Sequence, residues 1–178
     1  MEEIKRINRE LKYKGQIVEM YEDTMKLPNG NIAHWDFIKH IGAAAVVPVK
    51  NDGKIVMVRQ YRNAMEKEIL EIPAGGLDFV GEEKLICAIR ELEEETGYKS
   101  DNVEWLINVN TTVAFCNEII GIFVARDLKM AERNLDENEF VDVEEYSIEE
   151  LLDMIYAGEI TDGKTIAALT AYYVKYCK

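Results

Sequence analysis

Residues 76–98 read GLDFVGEEKLICAIRELEEETGY, and the spacing of the apolar residues in this stretch predicts a helix. Its apolar side chains recur at i, i+3, i+4 and i+7, namely Leu85, Ala88, Ile89 and Leu92. That period predicts an amphipathic helix over residues 82–96, with its apolar side against a core. Gly97 follows as the stop signal at the C-terminus of the helix.

The predicted helix concentrates acids on one face. Glu91, Glu94 and Glu95 stand at i, i+3 and i+4, where like charges repel by about 0.2–0.5 kcal/mol per pair. A solvated acidic face is one explanation, because the chain has 34 acids against 21 lysines and arginines. A bound cation is the other, because clustered carboxylates are hard oxygen donors suited to Mg²⁺ or Mn²⁺.

The spacing around these acids follows a known motif. This stretch resembles the Nudix box, G-x5-E-x7-R-E-U-x-E-E-x-G-U. Five residues separate Gly76 from Glu82, and seven more separate Glu82 from RELEEETGY at 90–98. Every fixed position is present, and Tyr98 stands where the last, usually aliphatic, residue is expected. The resemblance implies the Nudix fold and its reaction, in which a metal-activated water attacks the phosphorus of a diphosphate.

The same resemblance assigns roles to the residues of the box. It makes Glu91, Glu94 and Glu95 metal ligands, with Glu94 and Glu95 also catalytic. It leaves Glu82 and Arg90 as a structural pair that braces the loop before the helix.

The beginning of the box has two possible registers. Counting back from Glu82 gives Gly76, whereas EIPAG at 71–75 resembles the family's E-x-P-A-G and makes Gly75 the box glycine. The second register implies one inserted residue and a box over 75–98. In that register the backbone carbonyl of Ala74 is a metal ligand.

Other segments resemble the ADP-ribose pyrophosphatase branch of the Nudix family along nearly the whole chain. VRQYR at 58–62 looks like V-x-Q-[FY]-R, which implies that Arg62, and second to it Arg59, contacts a substrate phosphate. The alternative is two surface arginines that balance local acids.

A second such segment, AFCNE at 114–118, lies where the family has a mobile loop ending in a glutamate. This implies Glu118 as general base or further metal ligand. An exposed glutamate at the start of a strand is the alternative. The usual S-P-G before this glutamate is TVA here.

The N-terminal region predicts a hairpin, with strand-like runs at 16–21 and 32–38 around the turn LPNG at 27–30. A hairpin must pack on the main domain or on a second subunit. In some family members a tryptophan at this place stacks on adenine, and an acid accepts a hydrogen bond from the adenine amino group. The resemblance implies these two roles for Trp35 and Asp36. The alternative is a tryptophan at a subunit seam.

Both interpretations of Trp35 hold if the N-terminal strands swap across a homodimer, as they commonly do in this family. We therefore expect residues 1–40 to form a dimerisation and base-binding region and residues 41–178 the Nudix domain.

The remaining pattern predicts strands followed by helices. Ser147 and Glu150 have the spacing of a capping box at the start of a helix. The strands are expected at 42–49, 54–61, 67–72, 103–109, 119–125 and 140–146, with a break at 73–76, and two further helices at 147–157 and 163–176. This order indicates an α+β protein or a mixed α/β/α sandwich.

Composition excludes several classes of protein. The net charge is 21 − 34 = −13 with no basic stripe, which argues against nucleic-acid binding. No apolar run approaches 18 residues, so no membrane span is expected. The cysteines, Cys87, Cys116 and Cys177, are odd in number and widely spaced, which argues against a disulfide framework and against a zinc knuckle. The N-terminus lacks a signal-peptide pattern. We expect a cytoplasmic protein.

Residues 158–165, GEITDGKT, also match the P-loop pattern G-x4-G-K-T. A P-loop needs a buried strand before it and a parallel sheet after it. Here a predicted helix precedes the match, two acids lie inside it and 13 residues follow Thr165. The family resemblance makes this segment structural.

These observations lead to one expected function. It is Mg²⁺-dependent hydrolysis of ADP-ribose to AMP and ribose 5-phosphate, with Mn²⁺ as a possible metal. The alternative is another nucleoside diphosphate sugar, such as GDP-mannose. A Nudix-fold binding module without turnover would have lost box carboxylates, and none is missing here.

Overall fold

The computed structural model describes residues 3–135 and 140–178. The strands are β1 Lys5–Lys14, β2 Glu19–Lys26, β3 Ile32–Lys39, β4 Ala43–Pro48, β5 Ile55–Arg62, β6 Lys67–Glu71, β7 Ala74–Gly76, β8 Tyr98–Lys99, β9 Asn102–Asn110, β10 Ile119–Arg126, β11 Lys129–Met130 and β12 Val141–Tyr146. The helices are α1 Lys84–Thr96, α2 Ile148–Ala157 and α3 Gly163–Tyr176.

The chain divides into two compact units. The N-terminal unit comprises the described residues up to Gly42 together with Asn110–Ile119. The main unit comprises the described residues of Ala43–Val109 and Ile120–Lys178. The first two residues of the predicted region 1–40 lie outside the described residues.

The N-terminal unit is built on the antiparallel sheet β1-β2-β3. The predicted turn is confirmed, since Gly30 adopts a φ of +87° and its N–H donates to the Leu27 carbonyl at 2.9 Å. The first strand of this hairpin is β2, which begins later than the predicted run at 16–21 and continues to Lys26. The segment 110–119 is attached by a hydrogen bond of 2.6 Å from the Ile38 N–H to the Phe115 carbonyl.

Strand β1 was not predicted because charged and polar residues predominate in its sequence. Only three of its ten residues, Ile7, Leu11 and Tyr13, are apolar, and Arg9 interrupts their alternation. The register against β2 shifts between Arg6 and Asn8 and again between Leu11 and Tyr13. Each irregularity inserts a residue into the strand, and such bulges displace side chains from one face to the other.

The main unit is a three-layer sandwich in which β-sheets lie between α1 on one side and α2 and α3 on the other. In the four-stranded sheet β7-β4-β10-β9, β4 runs parallel to β10 and antiparallel to β7, and β12-β5-β6 form an antiparallel sheet. Ala43, Ala45 and Val47 of β4 pack in one core cluster with side chains of α2 and α3. Ala44 and Val46 face the other side, where they pack with side chains of α1. The predicted mixed sheet and α/β/α layering are therefore confirmed.

Sequence signals at the helix ends account for where the helices begin and end. Gly97 ends α1 in the left-handed conformation, with a φ of 70°. Ser147 and Glu150 form the predicted capping box of α2. Helix α1 begins at Lys84, two residues later than predicted, because Glu83 is an extended N-cap. The carboxylate of Glu82 instead accepts a hydrogen bond of 2.8 Å from the Asp78 N–H in the preceding turn.

Residues 74–76, predicted as part of a break, form strand β7. Ala74 pairs with Ala45 of β4, and Gly75 pairs with Ala44. The sequence did not predict this strand, because it contains two glycines and follows a proline, and both residue types are depleted in strands. None of the helices in the described ranges combines the length and apolar character needed to cross a bilayer.

Leu92 tests how far the box helix depends on its packing. Its side chain is fully buried beside Val46 and Ala125. We expect Leu92→Ala to lower the free energy of unfolding by about 2–5 kcal/mol, because it leaves a cavity in a packed core. Ile86→Ala is the control, since Ile86 lies on the same helix but is 54% exposed. Denaturant unfolding that shows equal losses for the two variants would contradict this packing.

Candidate active site

Helix α1 places the three carboxylates of the box on one face, in unequal surroundings. Glu91 and Glu95 are buried, with 8% and 2% of their surface exposed. Glu94 is half-buried. Carboxylates this buried need donors or positive charge beside them, because desolvation disfavours the charged form.

The loop before the helix supplies part of this compensation. The N–H of Ala74 donates to Glu95 Oε2 at 2.9 Å, and the side-chain amide of Gln60 lies 3.4 Å from Glu95 Oε1. The backbone of Gly75 lies against Glu91 so closely that a Cβ there would overlap the carboxylate. A Cβ on Gly76 would meet nothing within 4 Å. A Cβ at position 75 would require the Glu91 side chain to move, which favours Gly75 over Gly76 as the box glycine and the register with one inserted residue.

Arg90 supplies positive charge to the same cluster. Its Nη1 donates to Glu91 Oε1 at 2.7 Å and to Glu94 Oε2 at 3.2 Å, while Nη2 donates to the Gly76 carbonyl at 3.1 Å. Nη2 also lies 3.8 Å from Glu82 Oε2, which gives the expected pairing. Burial lowers the pKa of Arg90, but the nearby carboxylates, Glu91 foremost, more than offset this and hold it above its ordinary value.

The donor set fits a hard divalent cation that keeps part of its water shell. Glu91, Glu94 and Glu95 offer only oxygen, and Gly75 has no Cβ to displace the Glu91 carboxylate. Among the described residues, no three His, Cys, Asp or Glu side chains are arranged to hold a metal ion by themselves. Mg²⁺ binds in this incomplete way, through one or two carboxylates together with waters and substrate phosphates.

The two candidate phosphate-binding arginines lie on opposite faces of β5. Arg62 shares its face with Gln60, which contacts Glu95, since alternate residues of a strand point the same way. Arg62 donates from Nε and Nη2 to the two carboxylate oxygens of Glu71 at 2.7 and 2.9 Å. Arg59 points to the other face, where its Nε donates to Glu144 at 2.5 Å. Only Arg62 is on the face of the box carboxylates.

Glu118 belongs to the N-terminal unit, where it accepts a hydrogen bond from one side chain and lies near a second, neither of which the sequence indicated. Thr111 Oγ1 donates to Glu118 Oε2 at 2.8 Å. His40 Nδ1 lies 3.4 Å from Glu118 Oε1 and accepts the Gly42 N–H at 3.1 Å. A separation of 78 residues along the chain left no local signal for the His40 contact.

Trp35 and Asp36 are neighbours on β3 and therefore point to opposite faces of the sheet. Trp35 is 46% exposed and is paired in register with Asp23, whereas Asp36 is exposed and paired with Glu22. The structure does not bring the two side chains together on one surface. They share the N-terminal unit with Glu118, while the box, Ala74, Arg59 and Arg62 belong to the main unit.

Comparisons with known proteins agree with the motif. The family model for the NUDIX domain matches residues 39–169. A protein of Bacillus methanolicus named methanol dehydrogenase activator is 44% identical over 94% of this chain and 91% of its own. An ADP-ribose pyrophosphatase of Bacillus subtilis is 40% identical over 98% of this chain and 92% of its own.

Two more distant proteins are similar to this chain, one a sequence relative named for a different substrate and the other a solved structure with a similar fold. A GDP-mannose pyrophosphatase of Yersinia enterocolitica is 33% identical over 72% of this chain and 71% of its own. A crystal structure of an ADP compounds hydrolase superposes with a TM-score of 0.86, covering 98% of this chain and 94% of that one. At 20% sequence identity this structure establishes the fold alone.

The two glycines at the start of the box provide a matched test of the register. Gly75→Ala should lower the free energy of unfolding by roughly 1–3 kcal/mol, because either the Glu91 carboxylate or the backbone must shift. Gly76→Ala should change it by less than about 0.5 kcal/mol, because its Cβ points into open space. Denaturant unfolding of both variants measures the difference. A larger loss for Gly76→Ala would contradict the assigned register.

Proposed function

This chain belongs to the Nudix family, and we propose that it is a Mg²⁺-dependent pyrophosphatase that hydrolyses ADP-ribose to AMP and ribose 5-phosphate. The observation that carries the proposal is the pair of buried carboxylates, Glu91 and Glu95, held against the backbone of Ala74 and Gly75. Nudix hydrolases generally use divalent metal ions, and Mn²⁺ is the alternative metal.

We assign the metal to Glu91, Glu94, Glu95, Glu118 and the backbone carbonyl of Ala74. When bound, a divalent cation neutralises diphosphate charge and activates water for attack on phosphorus. The protein contributes an oxygen-only ligand set on a rigid helix, and Arg90 keeps this set in place through its contacts with Glu91 and Glu94. Of these ligands, Glu94 and Glu95 also act in catalysis.

Glu118 is the residue we propose to assist the attacking water, as general base or as a further metal ligand. Its carboxylate has the Thr111 hydroxyl on one oxygen and His40 beside the other. The hydrogen bond from Thr111 orients the carboxylate within the N-terminal unit, which a residue acting on one water molecule requires.

Arg62 is our choice for the group that binds substrate phosphate. Its side chain lies on the face of β5 that carries Gln60 and is 39% exposed. Arg59 is the weaker candidate, because it lies on the other face and is engaged by Glu144.

For the adenine base we propose Trp35 as the stacking platform and Asp36 as the acceptor for the amino group. Because the two point to opposite faces of β3, one strand cannot offer both to the same side of a base. The assignment is therefore tied to a homodimer in which the two faces of this sheet serve different subunits.

A homodimer is supported by the apolar surface of the N-terminal unit. Several large apolar side chains of this unit are about half exposed, namely Ile4, Ile7, Leu11, Tyr13, Ile32 and Trp35. Clustered exposed apolar residues mark interaction surfaces in monomeric structures.

The cysteines Cys87, Cys116 and Cys177 are free, which supports a location in the reducing cytoplasm.

The substrate panel is the decisive experiment. The protein is incubated with ADP-ribose and, separately, GDP-mannose, with Mg²⁺ or with chelator, and the products are resolved by anion-exchange chromatography. We expect AMP and ribose 5-phosphate with Mg²⁺ only. Glu95→Gln should lower kcat by at least roughly 100-fold, since even partners of metal ligands account for about 10–100-fold. Glu93→Gln, a change of the same kind on the same helix, is the control.

Each other outcome of the panel has a definite meaning. GMP without AMP would favour the alternative substrate class and exclude the adenine role of Trp35 and Asp36. Absence of product from both compounds would refute the proposed function. A methanol dehydrogenase should then be assayed with and without the protein, because one relative bears the name of its activator.

The dimer is tested separately by light scattering. We expect twice the chain mass of 20.4 kDa, reduced to the monomer by the double change Ile7→Asp and Leu11→Asp. Tyr156→Asp in the main unit is the control, because Tyr156 is 89% exposed but lies outside the N-terminal unit. A monomeric wild-type protein would contradict the proposal.

A further inference from the structure

A buried carboxylate outside the box has no part in the chemistry described so far. Glu71 is 1% exposed, and both of its oxygens are engaged. Oε1 accepts from Arg62 Nε, and Oε2 accepts from Arg62 Nη2 and from the ammonium of Lys164. Such partners matter for stability, because breaking a buried ion pair by removing one partner is strongly destabilising.

The pairing with Glu71 fixes one edge of the Arg62 guanidinium and leaves its other edge open. Nε and Nη2 are taken by Glu71, and among the described residues Nη1 makes no hydrogen bond to protein. A guanidinium has five N–H donors in a planar fork, so locking one edge determines where the remaining donors point. Hydrogen bonding to Glu71, opposed by burial, together with the charge of Glu95, holds the pKa of Arg62 above its ordinary value.

Lys164 anchors this arrangement to helix α3. Its ammonium is shared between Glu71 and Asp162, with 3.0 Å to Asp162 Oδ2, and its side chain is 11% exposed. Asp162 in turn accepts the Thr165 hydroxyl at 2.6 Å. That hydroxyl accepts the N–H of Ile72 at 3.0 Å, directly after Glu71.

The segment that resembles a P-loop in sequence therefore uses its lysine and threonine internally. Helix α2 ends at Ala157 and precedes it, so no strand leads into the glycine. Lys164 faces a carboxylate, and Thr165 holds a backbone N–H.

We propose that Lys164 and Glu71 are positioning residues for the substrate diphosphate, acting through Arg62. Together they hold the guanidinium in one orientation with Nη1 available, so that binding a phosphate does not have to order a long, flexible side chain. Ordering such a side chain weakens association. The inference rests on the proposed function, because it takes Arg62 to contact the diphosphate.

The primary test is Lys164→Met, which removes the ammonium and keeps the stem. We expect KM for ADP-ribose to rise about tenfold with kcat within about twofold, the scale of one charge-assisted hydrogen bond. The dissociation constant for ADP-ribose measured by calorimetry in chelator, where no turnover occurs, should rise by the same factor. Lys175→Met, at the far end of α3, is the matched control and should leave both constants unchanged.

A double-mutant cycle separates positioning from a general structural role. In an Arg62→Ala background, adding Lys164→Met should change KM less than twofold, because the group through which Lys164 acts is already gone. Glu71→Gln should follow the same pattern and serves as the second variant if Lys164→Met does not fold.

Three results would overturn the inference. These are an unchanged KM in both single variants, an equal rise of KM in the presence and absence of Arg62, and a fall in kcat without a change in binding. Failure of the wild-type protein to bind or hydrolyse ADP-ribose would instead refute the proposed function, so the two failures are distinguishable.

Discussion

The contact between the Gly75 backbone and the Glu91 carboxylate is the constraint on which the rest of the main unit depends. It brings a loop so close to helix α1 that a side chain at position 75 would displace the Glu91 carboxylate. This closeness also lets the Ala74 N–H reach Glu95. Buried negative charge is costly unless donors surround it. The loop, with Arg90, supplies donors to these clustered glutamates.

Other parts of the main unit hold this loop in position. Pairing of β7 with β4 fixes it from one side, and the Thr165 hydroxyl holds Ile72 from the other. The N-terminal turn of α3 therefore contributes to the geometry of a helix that lies some 70 residues earlier. Replacing a buried ionic network by apolar residues is often neutral for stability. The network of Glu71, Arg62, Lys164 and Asp162 is better understood as specifying orientation than as supplying stability.

The sequence predicted the features that arise from local chemistry. The box helix, its glycine stop and the capping box at Ser147 depend on residues within one or two turns, and all three are present. Strand β1 was not predicted, because charged and polar residues predominate in it and Arg9 interrupts its apolar alternation. The contact between His40 and Glu118 could not be predicted either, since it joins segments far apart in the chain. The choice between Gly75 and Gly76 required the packing itself, because the motif fits both.

The division of residues between the units has a consequence for specificity. The box and Arg62 are proposed to bind the metal and the diphosphate, and every nucleoside diphosphate sugar presents the same diphosphate. The residues proposed for the base, Trp35 and Asp36, belong to a separate compact unit with its own sheet. Substitutions in that sheet can alter base recognition without disturbing the buried carboxylates, because the cores of the main unit contain no residue from it. A box motif therefore identifies the reaction, whereas the choice between adenine and guanine has to be sought outside the box.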